Sequence, residues 1–119
     1  MTTAWNRLLV GVPLLLACNG CHSAFVQTTI TNQGPTIHTL EVDYPSQSFG
    51  TETLASGQVF HYRFKVQGSG PVKLQFQDAA GKTRSSIGPT LAEGVEGIIT
   101  VTIAPDDHVS WAPVIHTSR

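Results

Sequence analysis

The sequence predicts an all-β sandwich of seven or eight short antiparallel strands, entered through a short N-terminal export signal. Three observations predict it. Beyond residue 25, apolar side chains recur at every second position in short runs, the period of a strand with one buried face. Gly and Pro punctuate those runs at close intervals, at Gly34-Pro35, Pro45, Gly57, Gly70-Pro71, Gly81, Gly88-Pro89, Gly94 and Pro105. The intervals between them are mostly too short for a capped helix.

Each run justifies itself in turn. Val26 and Ile30 open the domain, and Leu40, Val42 and Tyr44 form an inward row opposite Glu41 and Asp43. Phe60, Tyr62, Phe64 and Val66 point one way while His61, Arg63 and Lys65 point the other. Val72, Leu74 and Phe76 repeat the pattern against Lys73, Gln75 and Gln77, and Ile99, Val101 and Ile103 repeat it against Thr100 and Thr102. Shorter strands are predicted around Phe49–Leu54 and Lys82–Ile87, and Val109 and Trp111 close the domain, with Trp111 expected in the core. Ribbons with one oily side need a second sheet to cover them, which favours a sandwich over the alternative of a small closed barrel.

Composition narrows the partners. The chain has 119 residues, room for one domain. Charged residues are 13% of it, well under the roughly 25% of an average globular protein, and the formal charge is −1. Nucleic-acid binding calls for a strongly basic face, so none is expected.

The N-terminus carries the clearest signal. Met1–Arg7 holds one basic side chain and no acid, and Leu8–Ala17 is a ten-residue apolar run. Ten helical residues span about 15 Å, half of a bilayer core, so the run is too short for a stable transmembrane helix. A basic start, a short apolar run and small residues after it make a secretory signal. The alternative, a buried N-terminal helix or strand, is disfavoured by Gly11 and Pro13.

Leu15-Leu16-Ala17-Cys18 resembles the lipobox of bacterial lipoproteins. The resemblance implies lipidation of Cys18 as the first mature residue. With Asn19 rather than Asp behind it, it also implies sorting to the outer membrane of a two-membrane cell. Ordinary signal cleavage is the second reading of this junction, and a redox or metal C-x-x-C formed by Cys18 and Cys21 the third. The expected organisation is a signal over 1–17, a lipid-anchored tether over 18–24 and the β-domain over 25–119.

About 100 residues with turns every 8–12 is the size and rhythm of an immunoglobulin-like sandwich. Asn32-Gln33-Gly34, and Leu54-Ala55-Ser56-Gly57 ahead of Phe60-His61-Tyr62-Arg63-Phe64, resemble the N-x-G and L-x-x-G turns of bacterial immunoglobulin-like domains of the adhesion-related type. That resemblance implies a fold and transfers no functional residue.

Chemistry-bearing residues are sparse. The five histidines (His22, His38, His61, His108 and His116) lack the spacing that places two ligands on one strand or helix face, so they read as scattered and solvated and no metal or cofactor is expected. The best metal alternative recruits Cys21 and His22. Asp106-Asp107-His108 after Pro105 reads as a turn bonding its own backbone rather than an acid–base site. No G-x-S-x-G is present, so no enzyme is expected. Gly68-Ser69-Gly70 lacks the Lys-Ser/Thr and following helix of a phosphate loop and reads as a hairpin turn. Were it one, Val66 would pair with Val72 and set Lys65 opposite Lys73. His61, Arg63, Lys65 and Lys73 would then make a basic stripe, either a solvated face or a contact for anionic headgroups or an acidic partner.

The functional expectation is therefore a non-catalytic envelope lipoprotein. Its partners are a membrane, through the N-terminal lipid, and an envelope protein or polymer. A periplasmic metal or small-ligand carrier, or a small secreted enzyme, are the alternatives.

Overall fold

Alternation decides which side chains are hidden, and the strands follow it closely. The computed structural model describes residues 24–117, and within them eight strands and no helix. They are β1 (Val26–Asn32), β2 (Ile37–Tyr44), β3 (Gln47–Leu54), β4 (Val59–Phe64), β5 (Gly70–Gln77), β6 (Thr83–Leu91), β7 (Val95–Ile103) and β8 (Val109–Thr117). Two four-stranded sheets result, one ordered β4-β1-β7-β8 and the other β3-β2-β5-β6. The sandwich is the predicted one. One of its pairings departs from the antiparallel expectation: β1 runs parallel to β7, from Val26 beside Gly97 to Asn32 beside Ile103. The strand order also differs from the ABED and CFG sheets of immunoglobulin domains, so the likeness to them is one of architecture.

The inward rows meet between the sheets. Val26, Ile30, Val42, Val72, Ile99, Val101 and Ile103 are fully buried, and Phe64, Val66, Leu74 and Phe76 nearly so. Phe60 and Tyr62 are half-buried and lie against this core, as the alternation requires.

Two side seams close the sandwich. Along one, Phe49 of edge strand β3 stacks on Tyr62 of edge strand β4, with ring centres 3.9 Å apart. Along the other, Trp111 of β8 donates its indole N–H to Ser86 Oγ of β6 at 2.9 Å. Trp111 is thus at the rim, half-buried, rather than in the core. Its ring lies so close to Gly88 that any Cβ there would strike it, which explains a glycine inside β6. The Gly88-Pro89 pair, read from sequence as a break, lies within β6 because an edge strand tolerates a residue without an N–H.

Strand β2 carries an irregularity with a clear cause. Its pairing with β5 slips by one residue between His38 and Glu41, and Thr39 adopts a left-handed φ of 52°. This β-bulge restores the phase, so that Ile37 and Leu40, three apart, both face inward. The bulge also drives the Leu40 carbonyl toward β3, where only Gly50 leaves room for it.

Among the described residues, one buried side-chain polar group has no partner. Thr28, in the interior of the first sheet, is 1% exposed and its hydroxyl lacks a hydrogen bond. Thr28→Val keeps the branched shape and removes an unpaid desolvation cost. It is expected to stabilise the domain by about 1 kcal/mol, raising the thermal midpoint by roughly 4–8 °C. A lowered midpoint would show that the hydroxyl is satisfied in solution.

Candidate functional site

The basic stripe is the first candidate, and the topology takes it apart. β4 and β5 lie in different sheets, so the Gln67–Pro71 hairpin does not form and Lys65 does not oppose Lys73. Residues 65–69 instead cross from one sheet to the other. Tyr44 holds the crossing, its hydroxyl lying 2.6 Å from the Gly68 carbonyl oxygen and 3.1 Å from that of Leu91. Burial pushes the Tyr44 hydroxyl pKa up, with the Glu93 charge adding to it. Gly68-Ser69-Gly70 is therefore part of a sheet-to-sheet connection.

The four stripe residues separate accordingly. Lys73 sits on the outer face of the second sheet, between Asp43 of β2 and Ile87 of β6. His61 and Arg63 stay together on the outer side of β4, and Lys65, exposed, follows just past its end. The His61 ring nitrogen Nδ1 lies 3.3 Å from Thr29 Oγ1. The Arg63 guanidinium stands 4.7 Å above the Phe25 ring. Cys18, Cys21 and His22 lie outside the described residues.

The remaining histidines are dispersed. His38 is on β2, His108 in the β7–β8 turn, and His116 on β8, where Nε2 is 3.1 Å from Glu96 Oε2. Among the described residues, no group of three His, Cys, Asp or Glu side chains is placed to hold a metal ion. Asp106-Asp107-His108 is a turn: Asp106 Oδ1 accepts the His108 N–H at 3.1 Å, and Asp107 takes a left-handed φ of 71°.

Two polar side chains, Asn32 and Asp78, tie loops together. Asn32 is fully buried; its amide donates to Pro35 O at 2.8 Å and Leu54 O at 3.0 Å, and its Oδ1 accepts the Gly34 N–H at 3.0 Å. Its own carbonyl accepts the Gly57 N–H at 2.6 Å. The N-x-G and L-x-x-G turns, 22 residues apart in sequence, are thus bonded to each other.

Asp78 does the same at the β5–β6 turn. Its carboxylate accepts N–H groups from Ala80 and Lys82 and the Arg84 Nε–H, each within 3.0 Å. Arg84, in turn, lies 3.8 Å from Asp107. The hydrogen bond from Arg84, then those from Lys82 and Ala80, hold the Asp78 pKa below the ordinary carboxylate value. The stabilisation is full above that ordinary value, near pH 4, and drains away as pH falls through the lower folded-state value. In urea unfolding at stepped pH, Asp78→Asn is expected to flatten the loss of stability below about pH 4. An unchanged acid slope would exclude Asp78 as its source.

Two hollows on the surface carry polar side chains. One of about 390 Å³ lies over the bulge, lined by Thr39, Glu41, Ser48, Gly50 and Glu52. Another of about 390 Å³ lies at the far end, beside Arg84, Ser86, Asp106 and His108.

No family model matches the chain, and no curated protein matches it significantly. One solved structure is similar. It is the NMR structure of a protein from Eubacterium rectale, at a TM-score of 0.51 and 11% identity, covering 85% of this chain and 95% of that one. Likeness at that identity shows the fold alone.

The sheet edges differ in what they offer. β6 and β8 carry Pro89 and Pro113, which interrupt the row of N–H donors an incoming strand would need. β3 carries no proline, runs eight residues and borders the hollow over the bulge. It is the longer of the two proline-free edges, β4 having six residues.

Proposed function

We propose that the chain is an exported envelope lipoprotein, held to a membrane by acyl chains on Cys18, whose β-sandwich is a non-catalytic binding or structural module. One observation carries this: β1 opens at Val26, so the folded domain starts directly after the Leu15–Cys18 junction, with only a short tether between. An acylated residue there would hold the domain close to the bilayer surface, and two or three acyl chains suffice for stable anchoring.

The described polar clusters support a module rather than a catalyst. Asn32 and Asp78 are engaged by backbone groups of the loops they tie, which leaves them committed to the fold. The β3 edge suits an extended segment of an envelope protein, which would add a strand through main-chain hydrogen bonds. Asn19 after Cys18 favours the outer membrane of a two-membrane cell.

Mass spectrometry of the mature protein tests the anchor. A diacyl- or triacyl-modified Cys18 is expected as the first residue, and Cys18→Ser is expected to abolish the modification. An unmodified mature N-terminus would overturn the lipoprotein reading.

A further inference from the structure

The outer face of the first sheet is not uniformly polar. Strand registers align Arg63, Gln27, Ile98 and Val114 in one row across β4, β1, β7 and β8. The next row toward the other end of the domain is His61, Thr29, Thr100 and Ala112, and beyond it Val59, Thr31, Thr102 and Ser110. Three of the four large exposed apolar side chains of this face, Phe25, Ile98 and Val114, lie at one corner, while Val59, 40% exposed, stands at the other end of β4. Val114 is 72% exposed, Ile98 51% and Phe25 36%, with Arg63 over the Phe25 ring and Lys65 one step past the Val26–Phe64 pair. Glu96 at this corner is engaged by His116.

The second sheet's outer face has the opposite character. Glu41, Asp43 and Glu52 outnumber Lys73 there, and its large exposed apolar side chain is Ile87. The sandwich thus has one acidic face and one face with an apolar corner fringed by cations.

The chain enters the domain through the apolar corner. Phe25 belongs to it, and the tether Asn19–Ala24 can reach no more than about 20 Å from Cys18. We propose that the Phe25, Ile98 and Val114 corner rests on the membrane, its apolar side chains at the headgroup boundary and Arg63 and Lys65 against anionic phospholipid phosphates. This rests on the acylation of Cys18 proposed above. It orients the acidic face of the second sheet away from the bilayer. Apolar side chains rimmed by basic ones are the composition that binds such an interface, and the electrostatic part weakens with salt.

The test uses the mature protein recovered from envelopes, returned to vesicles of brominated phosphatidylglycerol, which quench indole on contact. Val114→Trp and Ile87→Trp place a reporter on either face, with Trp111 as a background common to both. Quenching of the Val114→Trp protein is expected to be about twofold or more above that of Ile87→Trp, and to fall toward it in Arg63→Glu/Lys65→Glu or at high salt. Equal quenching on an acylated protein would overturn the docking and leave the anchor standing. Stronger quenching at residue 87 would overturn it in favour of the opposite face. An unmodified Cys18 by mass would sink both the anchor and the orientation built on it.

Discussion

Asn32→Ala is expected to destabilise the domain by about 3 kcal/mol, lowering the thermal midpoint by roughly 12–24 °C. The side chain is fully buried and satisfies three main-chain groups from two turns: Gly34 N–H and Pro35 O in one, and Leu54 O in the other. Alanine removes their partner, and two of the three bonds, to Gly34 N–H and Leu54 O, are buried. Each buried group left unpaired costs about 1–3 kcal/mol, so two of them at about 1.5 kcal/mol each set the expected loss. Asn32→Asp is the sharper control. It keeps the oxygen that Gly34 needs but turns an acceptor toward two carbonyl oxygens, so it is expected to be at least as damaging. Chemical denaturation of the three proteins decides the matter; a loss of less than about 1 kcal/mol in Asn32→Ala would mean that the two turns are held together by other contacts.

Much of this fold was legible in the residues, and the reason is local. Phe60, Tyr62, Phe64 and Val66 declare an inward side by alternation alone, and the strands place them inward. The turn residues at Gly57, Gly81, Gly94 and Pro105 mark connections for equally local reasons. What alternation cannot specify is the neighbour of each strand. The runs ending at Val66 and starting at Val72 look like the arms of a hairpin, because Gly68 and Gly70 supply turn chemistry between them. β4 pairs with β1 instead, 28 residues away in the closest case of Thr31 with Val59, and the chain after β4 passes to the other sheet. That choice follows from the total burial of two sheets, which no five-residue window contains. The same limit explains Trp111: its position at the rim depends on a glycine 23 residues earlier in an edge strand. The candidate surface was half legible. Arg63 does share a face with His61, and Lys65 follows just past the strand, but Ile98 and Val114 become their neighbours only through the parallel β1–β7 register and the β7–β8 hairpin.

Phe49→Ala is expected to cost about 3–4 kcal/mol, because the ring joins the two sheets rather than filling one of them. Phe49 projects from β3, an edge of the second sheet, and stacks on Tyr62 of β4, an edge of the first, while also approaching Phe60 and Phe64. No main-chain hydrogen bond of a sheet ladder links these two strands, so the aromatic seam carries the closure on that side. A double-mutant cycle separates closure from simple burial. With Phe49→Leu and Tyr62→Leu, an aromatic pair in contact should show a coupling of about 1 kcal/mol beyond the sum of the singles. A coupling near zero would mean that each ring is buried independently. In that case the seam does not hold β4 against β3, and the charged outer face of β4, with Arg63 and Lys65, would be free to move away from the rest of the sandwich.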